Sequence, residues 1–153
     1  MNSTDDDQRR TDVSTSAAAD SAGPATKLGF GVGQVIQEFG YDSDVDDDFR
    51  FALEDLTTTE LEDEDYTGAA DGILLWWRDG DGDLTDALVD ALTMLSEGGS
   101  IALLTPRAGL DGEVDASEIE EAAVTAGLHA SGTAKVGDDW LAMRLVSPKT
   151  GRR

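Results

Sequence analysis

Residues 71–106 read DGILLWWRDGDGDLTDALVDALTMLSEGGSIALLTP. Asp71 to Trp77 form a continuous apolar run, the pattern of a strand covered on both faces. Its two tryptophans, Trp76 and Trp77, must point to opposite faces, because side chains alternate along a strand. Asp83 is placed to cap a helix in which Leu84, Leu88, Ala91, Leu92 and Leu95 share one face. Glu97-Gly98-Gly99 stops that helix, and Ser100 to Thr105 is a second buried strand ended by Pro106. Strand, helix and strand of this length imply a parallel pair joined by a right-handed crossover.

The same alternation extends outward. Gln34 to Phe39 predicts a short strand closed by Gly40, followed by a helix over Asp44 to Leu56 with Val45, Phe49, Leu53 and Leu56 at helical spacing. On the other side, Asp115 and Glu118 resemble a capping box opening a helix that runs to about Ala126, with Gly127 as its stop. Ala130 to Val136, a Gly137-Asp138-Asp139 turn and Trp140 to Val146 predict an antiparallel hairpin. The implied fold class is α/β: a small three-layer Rossmann-like sheet, mostly parallel, with a C-terminal antiparallel hairpin. Residues 26–149 form the single domain, residues 1–25 an acidic tail too poor in large aliphatics to order, and residues 150–153 a short basic tail.

The 153 residues hold 33 acids and 11 bases, a net charge of -22, and no cysteine. Disulfides, thiolate nucleophiles and cysteine zinc sites are thereby excluded. Three lysines, Lys27, Lys135 and Lys149, cannot supply the basic patch that nucleic acid or an anionic membrane demands. No apolar run approaches the roughly 20 residues of a membrane span, and Met1 to Gln8 lacks the pattern of a signal peptide. The expectation is a cytoplasmic protein. Nothing in the sequence sets its oligomeric state.

Half of the charge, net -11, sits in residues 42–65. A solvated acidic face is the plain reading of such a run. The functional ones are a cation site or a docking surface, the latter centred on Asp44, Asp46, Asp47 and Asp48, for a protein partner with a basic surface.

The order of elements resembles the class I methyltransferase fold. More closely, the chain is similar to the actinobacterial domain of unknown function family 3052. That resemblance is carried by KLGFGVGQVIQEFGYDSDVDDDFR, DGILLWWRDGDGDL, LLTPRAGLDGEV and DDWLAMRLVSPK, and it spans residues 27–149. The fold resemblance implies a S-adenosylmethionine site after the first strand. The residues there oppose it. A glycine-rich turn should follow the strand, but Phe39-Gly40-Tyr41-Asp42-Ser43-Asp44 retains one glycine, and the run Gly29, Gly31, Gly33 precedes the strand. The aspartates at the next helix start repel an anionic group. About 30 residues separate Gly40 from Asp71, too few for the second and third strands and their helices. One short strand near Leu61 is all that fits, and the acid that would hold a ribose has no fixed counterpart among Glu60, Glu62 and Glu64. The crevice is therefore expected to be closed, with no cofactor.

Two further groups merit attention. Asp79, Asp81 and Asp83 imitate a calcium loop, but Leu84 and Asp90 stand where glycine and glutamate are needed, so a polar turn is expected and no metal site. Ligands of parallel sheets sit at the carboxyl ends of strands. Tyr41, Asp42, Trp77, Arg78, Asp79 and Arg107 lie there and form the candidate pocket. Its arginines either pair with neighbouring acids or grip a small anion or peptide carboxylate. His129 has no nucleophile or second histidine arranged with it, and no catalytic residue is expected. The function implied is a non-catalytic regulatory or interaction module on a shortened methyltransferase-like fold; the alternative is a small enzyme or ligand binder, S-adenosylmethionine-dependent methyl transfer included, using the strand-end pocket.

Overall fold

The computed structural model describes residues 23–147. The expected tail, up to residue 22, and the chain from 148 onward lie outside them. The fold is a three-layer α/β sandwich on one five-stranded sheet. The strands are β1 (Ile36–Phe39), β2 (Ala70–Trp76), β3 (Leu95–Pro106), β4 (His129–Val136) and β5 (Trp140–Val146). The helices are α1 (Asp47–Thr57), α2 (Leu84–Met94) and α3 (Ala116–Thr125). The spatial order is β1-β2-β3-β5-β4, with β1, β2 and β3 parallel and β5 antiparallel to both β3 and β4.

Each face of the sheet has its own core. Trp76, Leu74, Ile36 and Leu104 pack under α1 through Phe49 and Leu53. Ile73, Leu75, Trp77 and Leu103 pack under α2 and α3 through Leu88 and Ile119. The adjacent tryptophans thus divide between the two cores, as strand alternation requires. Trp76 is completely buried and meets Phe49 and Trp140 edge-on at 6.3 and 4.8 Å between ring centres.

The elements depart from the sequence reading at their ends. The α1 helix starts three residues later than Asp44, because the Asp46 carboxylate accepts from the Phe49 N–H at 2.9 Å and fixes the cap there. Asp83 caps α2 as expected, accepting from Asp86 N–H. The capping box at Asp115 does not form: its carbonyl, not its side chain, accepts from Glu118 and Ile119. The chain is already extended from Leu95, but regular pairing with β2 begins at Ser100, where the apolar run begins. A helical turn at 23–27 seats Ala25 and Leu28 in the α1-side core.

The connection between α1 and β2 is the compressed part. It contributes no strand beyond β1, only a single parallel bridge of Glu62 to Gln37. Glu62 donates to Ile36 O at 2.9 Å and accepts from Glu38 N–H at 2.8 Å, along the edge of β1 away from β2. The short strand expected near Leu61 is thus reduced to one residue.

Candidate functional site

The chain leaves β1 toward its outer edge and re-enters the sheet on the inner side as β2. The chain thus passes outside β1, where only the Glu62 bridge lies, before turning inward to β2, and a crevice is left at the carboxyl ends of these two strands. A cleft of about 440 Å³ opens there, within the usual size of small-ligand sites. Phe39, Leu75 and Trp77 form its floor, and Ala87, Ala91 and Met94 of α2 form a wall. Its rim carries Asp42, Glu64, Asp81 and Asp90.

The expected closure of this crevice is therefore corrected. The α1 helix and its aspartates lie over the opposite face of the sheet, and the Tyr41 side chain is 55% exposed rather than folded inward. Neither fills the space beside Gly40.

Gly40 makes the turn out of β1. Its φ is +81°, and a Cβ there would overlap the carbonyl oxygen of Trp76. Only glycine meets both demands. The Gly40 N–H donates to Glu64 Oε2 at 3.0 Å, and its carbonyl accepts from Arg78 Nη1 at 2.9 Å. The turn that carries Glu64 is held from beneath by Gln37, a fully buried side chain whose amide donates to Asp63 O and Tyr66 O, both at 3.0 Å.

Arg78 is the one basic residue among the described residues of the lining, and each of its three side-chain nitrogens donates within the chain. Nε and Nη2 grip Asp44 at 3.0 and 2.6 Å, and Nη1 also reaches Trp76 O and Asp81. The guanidinium lies 5.3 Å from the Trp140 ring centre. The hydrogen bond from Arg78 holds the Asp44 carboxyl below its ordinary range, and the same bond raises Arg78. Trp140 Nε1 donates to Asp44 O at 3.0 Å, which ties the hairpin to this pair.

Of the six strand-end residues singled out in the sequence, the structure brings four to the cleft: Tyr41, Asp42, Trp77 and Arg78. Asp79 donates its N–H to Gly112 O and does not line it. Arg107 donates Nε to Asp138 O at 2.5 Å, in the hairpin turn. The two arginines therefore do not converge, and no paired-arginine anion grip forms. Among the four aspartates near α1, Asp44 binds Arg78, Asp46 caps the helix, Asp47 pairs with Arg50 at 3.1 Å, and Asp48 is exposed. In the calcium-like turn, Asp81 accepts from Arg78 N–H and Asp83 caps α2. Among the described residues no group of three or more potential metal ligands is assembled.

Sequence reasoning missed the α2 wall, Asp90, and the choice of Glu64 over its neighbours. Ala87 and Met94 lie four residues before and three after Ala91 of the buried stripe, and the small pair Ala87 and Ala91 at i, i+4 was the available signal. It also missed a buried cluster on the other face. Glu38, 6% exposed, accepts from Trp76 Nε1 at 2.8 Å and takes a bidentate grip from Arg50 at 2.7 and 2.9 Å.

This sheet order, with parallel strands followed by an antiparallel C-terminal hairpin, places the chain in the methyltransferase-like class of α/β folds. It superposes with a TM-score of 0.59 and 13% identity on the methyltransferase CalO1 of calicheamicin biosynthesis in its SAH-bound form, over 89% of this chain and 55% of that one. The chain thus spans about half the length of that structure. For the precorrin-6y C5,15-methyltransferase of Geobacter metallireducens the TM-score is 0.60 at 10% identity, over 84% of this chain and 87% of that one. The chain belongs to the DUF3052 family of proteins of unknown function, which it matches over residues 25–149. Uncharacterised proteins of Mycobacterium tuberculosis and Mycobacterium bovis are 51% identical to it over 138 residues, 90% of this chain and 87% of each relative. No helix among the described residues is long and apolar enough to cross a membrane.

Proposed function

We propose that this protein binds a small adenosyl-type ligand in the cleft between β1 and β2. The observation that carries the reading is the open cleft at the carboxyl ends of β1 and β2, with an apolar floor and with Glu64 held beside Gly40. Glu64 lies 24 residues beyond Gly40, close to the roughly 20-residue spacing at which an acid accepts from ribose hydroxyls in dinucleotide folds. Phe39, Leu75 and Met94 offer apolar surface for a base. The fit rests on side chains rather than on a glycine-rich backbone nest, since the Gly40 N–H already has a partner. The SAH-bound form of CalO1 makes S-adenosyl compounds the first ligands to test. The cleft residues supply contacts for binding, and none is assigned a step in a reaction. A docking role for the acidic start of α1 has less to support it, because Asp44, Asp46 and Asp47 have partners within the chain.

The test is calorimetric titration and thermal unfolding with S-adenosylmethionine, S-adenosylhomocysteine and adenosine. Binding raises the unfolding midpoint, because a ligand that binds only the native state stabilises it. Ala87→Leu, which adds bulk to the wall at a half-buried position, is expected to abolish the shift, with an unchanged unfolding midpoint of the free variant showing that it folds. A midpoint unmoved by all three ligands at millimolar concentration overturns the reading.

A further inference from the structure

We infer that Arg144 and Ser131, on the face of the sheet opposite the cleft, form a binding site for a ligand carboxylate. The site shares no residue with the cleft and does not rest on it. Residues 21–37, 122–137 and 140–153 hold none of the 33 acids. The fold brings the described parts of all three together. Leu28 and Phe30, Ala134 of β4 and Ala142 of β5 belong to one core cluster. Arg144 lies two residues beyond Ala142, on the same face of β5, and comes up beside Gly29.

Three features build the site. The β4–β5 register slips between Ala130 and Gly132, and such a bulge re-aims the side chain it inserts. Here that side chain is Ser131, whose Oγ accepts from Arg144 Nη1 at 2.6 Å. Gly29, at φ +87°, passes so close that a Cβ would lie 3.0 Å from Arg144 Nε and 3.6 Å from Nη2. Arg144 Nε is buried and donates to nothing among the described residues. Arg50 and Arg78, also half-buried, each hold a carboxylate, at 2.7 and 2.6 Å. Arg144 pairs with no carboxylate among the described residues.

A charge drawn partly out of water without a counter-charge is costly. An anion against the guanidinium supplies what the neighbouring side chains do not. The Ser131 hydroxyl, having accepted from Nη1, keeps its own hydrogen to donate. A carboxylate set against Nη2 and this hydroxyl therefore takes two hydrogen bonds, one of them charge-assisted. A monoanion fits better than a phosphate dianion, because one guanidinium receives it and a body of net charge -22 penalises each further negative charge. The carboxylate belongs to a free organic acid or to an extended peptide added along β4, the last strand of the sheet.

The deciding experiment follows the full chain by two-dimensional NMR at constant ionic strength, with acetate, inorganic phosphate, chloride and acetamide as probes. Acetate is expected to shift the Arg144 Nε–H and the Ser131 and Gly132 amides along a saturating curve. Acetamide, its neutral counterpart, should leave them unmoved. Arg144→Gln should abolish the response. Ser131→Ala, at an exposed position, should weaken it about tenfold, the worth of one hydrogen bond to a charged group. If Arg144→Gln fails to fold, the Ser131→Ala loss decides alone. A capped alanine–glutamate–alanine peptide bound more tightly than acetate assigns the carboxylate to a peptide, and equal affinity assigns it to a free acid. No shift with acetate, equal shifts with chloride, a response kept by Arg144→Gln or an affinity unchanged in Ser131→Ala overturns the inference. Phosphate bound more tightly than acetate overturns it as well.

Discussion

The Glu38 carboxylate joins β1 to β2 through the Trp76 indole, 2.8 Å away, on the face of the sheet opposite the cleft. Two residues further along β1, Gly40 turns the chain out against the Trp76 carbonyl. The two strands that part to make the site are thus fastened to each other from behind. Arg50 completes the fastening by gripping both Glu38 oxygens.

Removing Arg50 leaves a buried carboxylate with its charge uncompensated. Arg50→Ala is expected to destabilise the fold by about 3 kcal/mol, read as a lower urea midpoint. Glu38→Gln, which removes the charge together with the pair, should cost less. Equal losses in the two variants would show that packing rather than charge dominates.

Gly40→Ala places a methyl group against backbone, in a conformation that L-residues avoid. A cost of about 2 kcal/mol or more is expected, together with loss of ligand binding as the turn shifts away from Glu64. Gly33→Ala is the control: it also has positive φ but nothing within 4 Å of the added carbon, so it should show the strain without the clash.

Acidification should loosen the mouth of the cleft. The Asp44 carboxyl is held below its ordinary value of 3.8 by its hydrogen bond to Arg78. A depressed folded-state pKa contributes stability that is present above the unfolded value and lost as pH falls through the folded one. Asp44 is half exposed, so the effect is modest. Wild type should exceed Asp44→Asn in stability at pH 7, and their urea midpoints should converge below pH 3.8. A gap that persists at low pH would trace the difference to something other than the charge.

Gln37→Met removes both bonds that hold the turn over residues 63–66. The expected loss is about 1–2 kcal/mol, softened because Gln37 Oε1 has no partner to lose. Hydrogen exchange should quicken at Asp65 and Tyr66, and ligand affinity should fall with it. Protection unchanged at those amides would mean that the turn stands without its peg.

Much of the architecture was legible because each element carries its own periodicity. The runs ending at Trp77 and Thr105 are apolar on both faces, and Asp83 announces α2. The shortness of the segment between Gly40 and Asp71 likewise foretold the missing strands. The site was legible only at its strand ends. Tyr41, Asp42, Trp77 and Arg78 could be placed because topology alone fixes them. The α2 wall could not, since the gap beside Ala87 and Met94 depends on which flank of the helix the shortened chain leaves uncovered. The acids at the start of α1 misled for a related reason. They read as filling the crevice, but the helix crosses to the other face, where Asp44 binds an arginine and Asp46 forms a cap.

The neighbouring tryptophans give the molecule two optical reporters one residue apart. Trp77 looks into the cleft and Trp76 into the sealed interior behind it. Emission from the first should respond to an occupant while the second stays silent until the chain unravels. With Trp140 and, in turn, Trp76 or Trp77 changed to Phe, occupancy and unfolding can be followed by one remaining indole each.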